Sequence, residues 1–107
     1  MRWLYHIRPV MQATAWPYAP PSLLAEGFVH ASFRDRVEES AQLYFPRDAT
    51  LEVLRLDPRK IRARVEIAMT PRGEMPHIFG AIERAAVDRI MTLAEFAASQ
   101  QPDFVTG

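Results

Sequence analysis

Residues 9 to 22, PVMQATAWPYAPPS, carry four prolines in fourteen positions. Proline has no amide hydrogen to give to a ladder, and its ring blocks a helix interior, so this stretch is an ordered loop or a very short helix. Further prolines punctuate the rest of the chain: Pro46 ends a helical pattern, and DPRK and TPRGEMP read as a turn and a loop. The regular elements are therefore short.

Between these breaks, RWLYHIR (2–8) alternates as a strand, with Trp3, Tyr5 and Ile7 on one face and Leu4, His6 and Arg8 on the other. Ser22 before LLAEG predicts a one-to-two-turn helix capped by Ser22 and stopped at Gly27. In EGFVHAS, Phe28, His30 and Ser32 share one strand face, while Val29, Ala31 and Phe33 form a core face. Ser32 with Asp35 three residues on resembles a capping box, which predicts a helix over about 34–45. TLEVLRLD (50–57) and RARVEIAM (62–69) read as strands joined by DPRK into a hairpin or meander. HIFGAI is a short extended piece, and 82–98 fits either one helix or a strand around Val87–Met91 followed by a helix that Thr92 and Glu95 begin. The tail 99–107 is expected to fray. This order predicts a single α+β domain over 1–107, its core at about 2–98, with a strongly bent, mostly antiparallel sheet and two or three short helices.

Composition narrows the function classes. Thirteen basic and thirteen acidic side chains cancel, so charge supplies no general reason to expect nucleic acid or an anionic membrane as partner. Twelve of the thirteen basic residues are arginine, a group suited to gripping anions in bidentate fashion. The chain has no cysteine, which removes disulfides, thiol nucleophiles and thiolate zinc sites. No run is long enough to cross a membrane as a helix, and the N-terminal residues lack a signal-peptide pattern. A cytoplasmic monomer or homodimer is the expectation.

The chemistry-bearing residues are few. His6, His30 and His77 all fall on strands or strand edges, where a shared cleft is one reading and three separately satisfied imidazoles the other. Their spacings of 24 and 47 residues include no short-range pair of the kind metal sites use, so no metal is indicated. Ser32 lacks a nucleophile elbow, and the four glycines form no phosphate loop. Glu26 and Glu74 each lie near a histidine segment, as carboxylates to orient an imidazole or act as a base. Trp16 and Tyr18 are placed to stack on a planar ligand or to lid the core, and Arg8 to meet a phosphate.

YHI near the start, a Trp in the following loop, SLLAEGFVHAS, LEVLRLD and PHIFG occur in one order and spacing from about residue 3 to 91. Together they resemble the bacterial family called domain of unknown function 952, with Phe79 and Met75 standing where that family usually has a tyrosine and an aromatic residue. The resemblance implies a fold similar to the ADP-ribosyltransferases, and with it NAD or an ADP-ribose-like nucleotide as ligand. It sets His6 in the place of a ribose-binding histidine. It also sets His77 where those enzymes carry a catalytic carboxylate, with Glu74 the nearest glutamate. The leading expectation is a cleft of His6, His30, His77 and Ser32 that binds a nucleotide or other phosphorylated small molecule, with Glu74 as a catalytic candidate and Arg8, Trp16 and Tyr18 as ligand contacts. The alternative is a non-enzymatic interaction or structural module.

Overall fold

In the computed structural model, which describes residues 1–106, the first strand β1 (Leu4–Pro9) lies antiparallel to β3 (Leu51–Leu56), with Tyr5 opposite Arg55 and Ile7 opposite Val53. β3 also pairs with β6 (Val87–Thr92), giving the order β1-β3-β6. A second antiparallel sheet has the order β2-β5-β4, from β2 (Val29–His30), β5 (Gly73–Ile78) and β4 (Val65–Thr70). One isolated bridge joins the sheets: Tyr5 and Ser32 exchange backbone hydrogen bonds of 2.8 and 2.7 Å. The α+β class therefore holds, with the strands divided between two sheets instead of one bent sheet.

Both faces of β1 and β3 are buried. Leu4, Leu54 and Leu56 join Val29, Ile78 and Ile82 in one apolar cluster; Tyr5 and Val53 join Val37, Met91 and Phe96 in another. Apolar residues at four of the six positions of LEVLRL, on both faces, are the sequence counterpart of a strand covered on two sides. Full burial of side chains such as Leu54 and Ile78 contributes roughly 1.5–3 kcal/mol each before conformational entropy is subtracted.

Three helices complete the fold. α1 (Pro21–Glu26) ends at Gly27, whose φ of 87° is the left-handed conformation and whose amide returns 3.0 Å to the Leu23 carbonyl. Its N-cap is Pro20, so the expected cap at Ser22 is corrected: Ser22 lies inside the helix. α2 (Val37–Tyr44) follows a 3₁₀ turn at 34–36 whose cap position is Phe33, and Ser32 instead bonds the Ser40 hydroxyl at 3.1 Å. α3 (Leu93–Ala98) opens with the capping box: Thr92 Oγ1 accepts from the Glu95 amide, and Glu95 accepts from the Thr92 amide. Of the two readings of 82–98, the strand followed by a helix is the one that forms.

Two further expectations are overturned. The β3–β4 hairpin does not form, because β3 finds its partners in β1 and β6 and the chain leaves it through a 3₁₀ turn at 58–60 capped by Asp57. TPRGEMP is not a loop: β4 and β5 are themselves the hairpin, turning at Thr70–Gly73 with Gly73 at φ 94°. Pro76 sits in the middle strand of its sheet, where its missing amide would argue against a strand, yet its carbonyl still accepts from the Ala31 amide at 3.2 Å. The described tail residues make contacts with the start of the chain. Trp3 N–H bonds the Asp103 carbonyl, Val105 N–H bonds the Met1 carbonyl, Tyr5 Oη donates to the Pro102 carbonyl, and Arg2 pairs with Asp103 at 2.8 Å. No described helix is long and apolar enough to cross a membrane.

Candidate functional site

The bridge between Tyr5 and Ser32 brings β1 alongside β2, and the hairpin β4–β5 and α2 close the other sides of a cleft of about 900 Å³. His6, His30 and His77 all line it, with Arg8, Tyr18 and Ser32. Alternation along each strand decides which residues arrive. Phe28, His30 and Ser32 reach the cleft as one face of EGFVHAS. On β5, His77 and Met75 reach it, whereas Glu74 is three residues from His77 and falls on the opposite face.

The three histidines occupy different environments. His6 is buried, and both ring nitrogens are engaged: Nδ1 lies 2.7 Å from the His30 carbonyl and Nε2 lies 3.0 Å from Tyr18 Oη. A carbonyl only accepts, so Nδ1 carries the proton and neutral Nε2 accepts from the Tyr18 hydroxyl. Burial, chiefly, with Arg8 and His30 adding to it, lowers the His6 pKa to about 4 against the pull of its backbone bond. His6 is thus a neutral clamp joining β1, β2 and the proline-rich loop. Burial also raises the pKa of Tyr18 and keeps its hydroxyl protonated for this bond.

His30 and His77 face each other across the β2–β5 ladder, with ring centroids 5.9 Å apart. Glu26, the last residue of α1, reaches His30 Nε2 at 2.8 Å, the i,i+4 spacing made possible by the tight stop at Gly27. Both partners of this pair face solvent. Phe28 stacks on His77 at 4.0 Å and 18°, and meets His30 edge-on at 4.7 Å. Desolvation first, then the adjacent His30, lowers the His77 pKa.

Two arginines supply positive charge to the wall. Arg8 is 4% exposed; Nε reaches Glu52 at 2.7 Å, Nη2 donates to Thr14 at 2.9 Å, and Nη1 has no hydrogen-bond partner among the described residues. Arg72, in the β4–β5 turn, spans Glu39 at 2.7 Å, the Ser40 hydroxyl at 2.9 Å and Tyr44 Oη at 3.3 Å. Glu26 is the single carboxylate among the described residues that line the cleft. The described residues include no group of three or more metal-ligating side chains placed to hold an ion.

Of the residues singled out in the sequence, His6, Arg8, Tyr18, His30, Ser32 and His77 line the cleft, and Trp16 and Glu74 do not. Trp16 packs against the core beside Tyr18, with the Arg84 guanidinium 5.6 Å from its ring. Glu74 is exposed on β5 opposite Met69. Arg72, Tyr44 and Ser40 were not anticipated. Arg72 falls in the segment TPRGEMP, and the alternation of VEIAMT and GEMPHI about Pro71 and Arg72 is the signal that places it beside the cleft.

The solved structures give a fold-level counterpart. The crystal structure of protein CC0527 from Caulobacter crescentus matches with a TM-score of 0.68 over 84% of each chain at 22% identity. A double mutant of the same protein matches at 0.67 with the same identity and coverage. This likeness shows the shared fold, and the ADP-ribosyltransferase resemblance finds no support among these matches. No curated protein matches the chain. A family model described as "Protein of unknown function (DUF952)" matches residues 9–90, most of the length, and the chain belongs to that family.

Proposed function

We propose that the cleft binds a nucleotide or another phosphorylated small molecule. The observation that carries this reading is Arg8: a buried guanidinium on the cleft wall with one nitrogen unpartnered, in a cleft with one carboxylate and a second arginine. A buried donor without an acceptor is costly, and an anionic oxygen satisfies it with a charge-assisted hydrogen bond. Arg72 is a second anion contact, and the rings of Phe28 and Tyr44 give apolar surface for a planar group. NAD and ADP-ribose, the ligands implied by the resemblance to ADP-ribosyltransferases, fall within this class. Glu26, and not Glu74, is then the carboxylate in reach of the ligand. A cytoplasmic setting belongs to the same proposal, since the chain has no cysteine for the disulfides that oxidising compartments favour.

For His6 alone, the structural role is the better reading, because both nitrogens are already bonded. The test is a thermal-shift series with AMP, ADP-ribose, NAD and inorganic phosphate at millimolar concentration. Binding raises the melting temperature by mass action, and the rise shrinks with salt. No rise with any of the four overturns the proposal.

A further inference from the structure

We infer that His30 and His77 are a general acid–base pair that hydrolyses a phosphodiester bond of the molecule held in the cleft; this rests on the reading of the cleft as a site for phosphorylated ligands.

Their placement is built in. The two residues are direct partners in the β2–β5 register, so both side chains leave the same face of the sheet. The ring centroids are 5.9 Å apart with Phe28 packed against both rings, so a phosphoryl group whose oxygens meet each imidazole at about 2.8 Å sits off the line between them, on the side away from Phe28. No described residue hydrogen-bonds His30 Nδ1 or either nitrogen of His77, and both residues line the cleft. Around the pair stand Glu26 from α1, Glu66 opposite His77 on β4, and His6 behind His30 from β1.

Their environments separate the roles. The Glu26 carboxylate accepts from His30 Nε2–H and orients that ring with Nδ1 free, so His30 takes the role of the acid. His77 is flanked by Phe28 and by His30 and is held neutral by desolvation and that neighbour, which makes it the base. In the reaction, His77 takes a proton from water as the water oxygen bonds to phosphorus. The bond from phosphorus to the departing oxygen breaks, its electron pair stays on that oxygen, and His30 delivers a proton there. The products are a phosphomonoester and an alcohol, and proton exchange with solvent restores both rings. Arg8 and Arg72 offset the charge on the non-bridging oxygens.

The experiment compares two phosphodiesters, bis(4-nitrophenyl) phosphate and a dinucleoside monophosphate, in the wild type and in His77→Asn, His30→Asn and Glu26→Gln. Nitrophenolate leaves without a proton, whereas a ribose oxygen needs one. His77→Asn is expected to lower kcat/KM about 100-fold on both substrates. His30→Asn is expected to lower it about 100-fold on the dinucleotide and only a few-fold on the nitrophenyl ester. Glu26→Gln, which leaves both imidazoles in place, follows His30→Asn in a weaker form. Wild-type rates equal to those of the His30→Asn/His77→Asn double variant overturn the pair. So does a His30 loss that is the same on both substrates. Stabilisation of the same preparations by AMP without turnover defeats this inference and leaves the binding site standing; absence of both defeats the two together.

Discussion

The side chain of one cleft histidine holds the main chain of another: His6 Nδ1 donates across 2.7 Å to the carbonyl of His30. The Tyr18 hydroxyl closes the other end of the His6 ring, so three separate segments meet on one neutral imidazole. His30 is thereby placed by a residue that has no free atom of its own to offer a ligand.

Acid is expected to unfold the protein through this clamp. His6 has a pKa near 4 in the folded state, against about 6.5 when unfolded. Between those values the unfolded chain binds the extra proton, so stability is fully present above pH 6.5 and is lost as pH falls toward 4. The loss from this group is on the order of 3 kcal/mol. Urea titrations from pH 7.5 to 4 check it. A His6→Asn variant starts less stable and shows a shallower decline over that window; an equal decline in both proteins contradicts the clamp.

The Arg8–Glu52 pair gives a second prediction. Both side chains are buried, so Arg8→Met leaves Glu52 as an unpaired interior charge and costs about 3–5 kcal/mol. Replacing both by methionine recovers most of that stability, because the desolvation penalty of both ions disappears. Chemical denaturation of the two single variants and the double variant tests this, and a double variant no more stable than Arg8→Met refutes it.

Two glycines should fail for different reasons. Gly27 has φ 87° and open space where a Cβ would stand, so Gly27→Ala costs about 1 kcal/mol through backbone strain alone. At Gly80, an added Cβ would lie 2.8 Å from the Ala63 Cβ, so Gly80→Ala costs about 1–3 kcal/mol through crowding. Ala63→Gly should rescue Gly80→Ala and leave Gly27→Ala unchanged. Melting temperatures of the four variants separate the mechanisms.

Docking of the tail is also measurable. Removing residues 101–107 deletes buried Gln101, the carbonyl that accepts from Tyr5, and the Arg2–Asp103 pair. A fall in melting temperature of several degrees is expected, since about 1 kcal/mol moves a domain of this size by roughly 4–8 °C. An unchanged melting temperature would mean that the tail contributes nothing.

The sequence made some of this legible and hid the rest for identifiable reasons. Alternation in RWLYHIR and the Thr92–Glu95 spacing depend on neighbours a few residues away, and both elements form close to where they were expected. Strand partnership is decided by distant packing, and there LEVLRLD was wrongly joined to RARVEIAM. Pro76 hid the β4–β5 hairpin, and with it Arg72. Ser32 carries a local cap signature, but its backbone is taken by Tyr5 and its hydroxyl by Ser40. Glu74 is close to His77 in sequence, while an odd spacing on a strand puts the two side chains on opposite faces.

The proposed site for a phosphorylated ligand is the cleft between the two sheets and α2. The most direct measurement is an NMR titration of isotope-labelled protein with AMP, followed through amide, histidine-ring and arginine side-chain signals. Saturable shifts are expected at Arg8, His30, Tyr44, Arg72 and His77, with the signals of β6 and α3 unmoved. Shifts confined to β6 and α3, or no shifts at millimolar AMP, would contradict it.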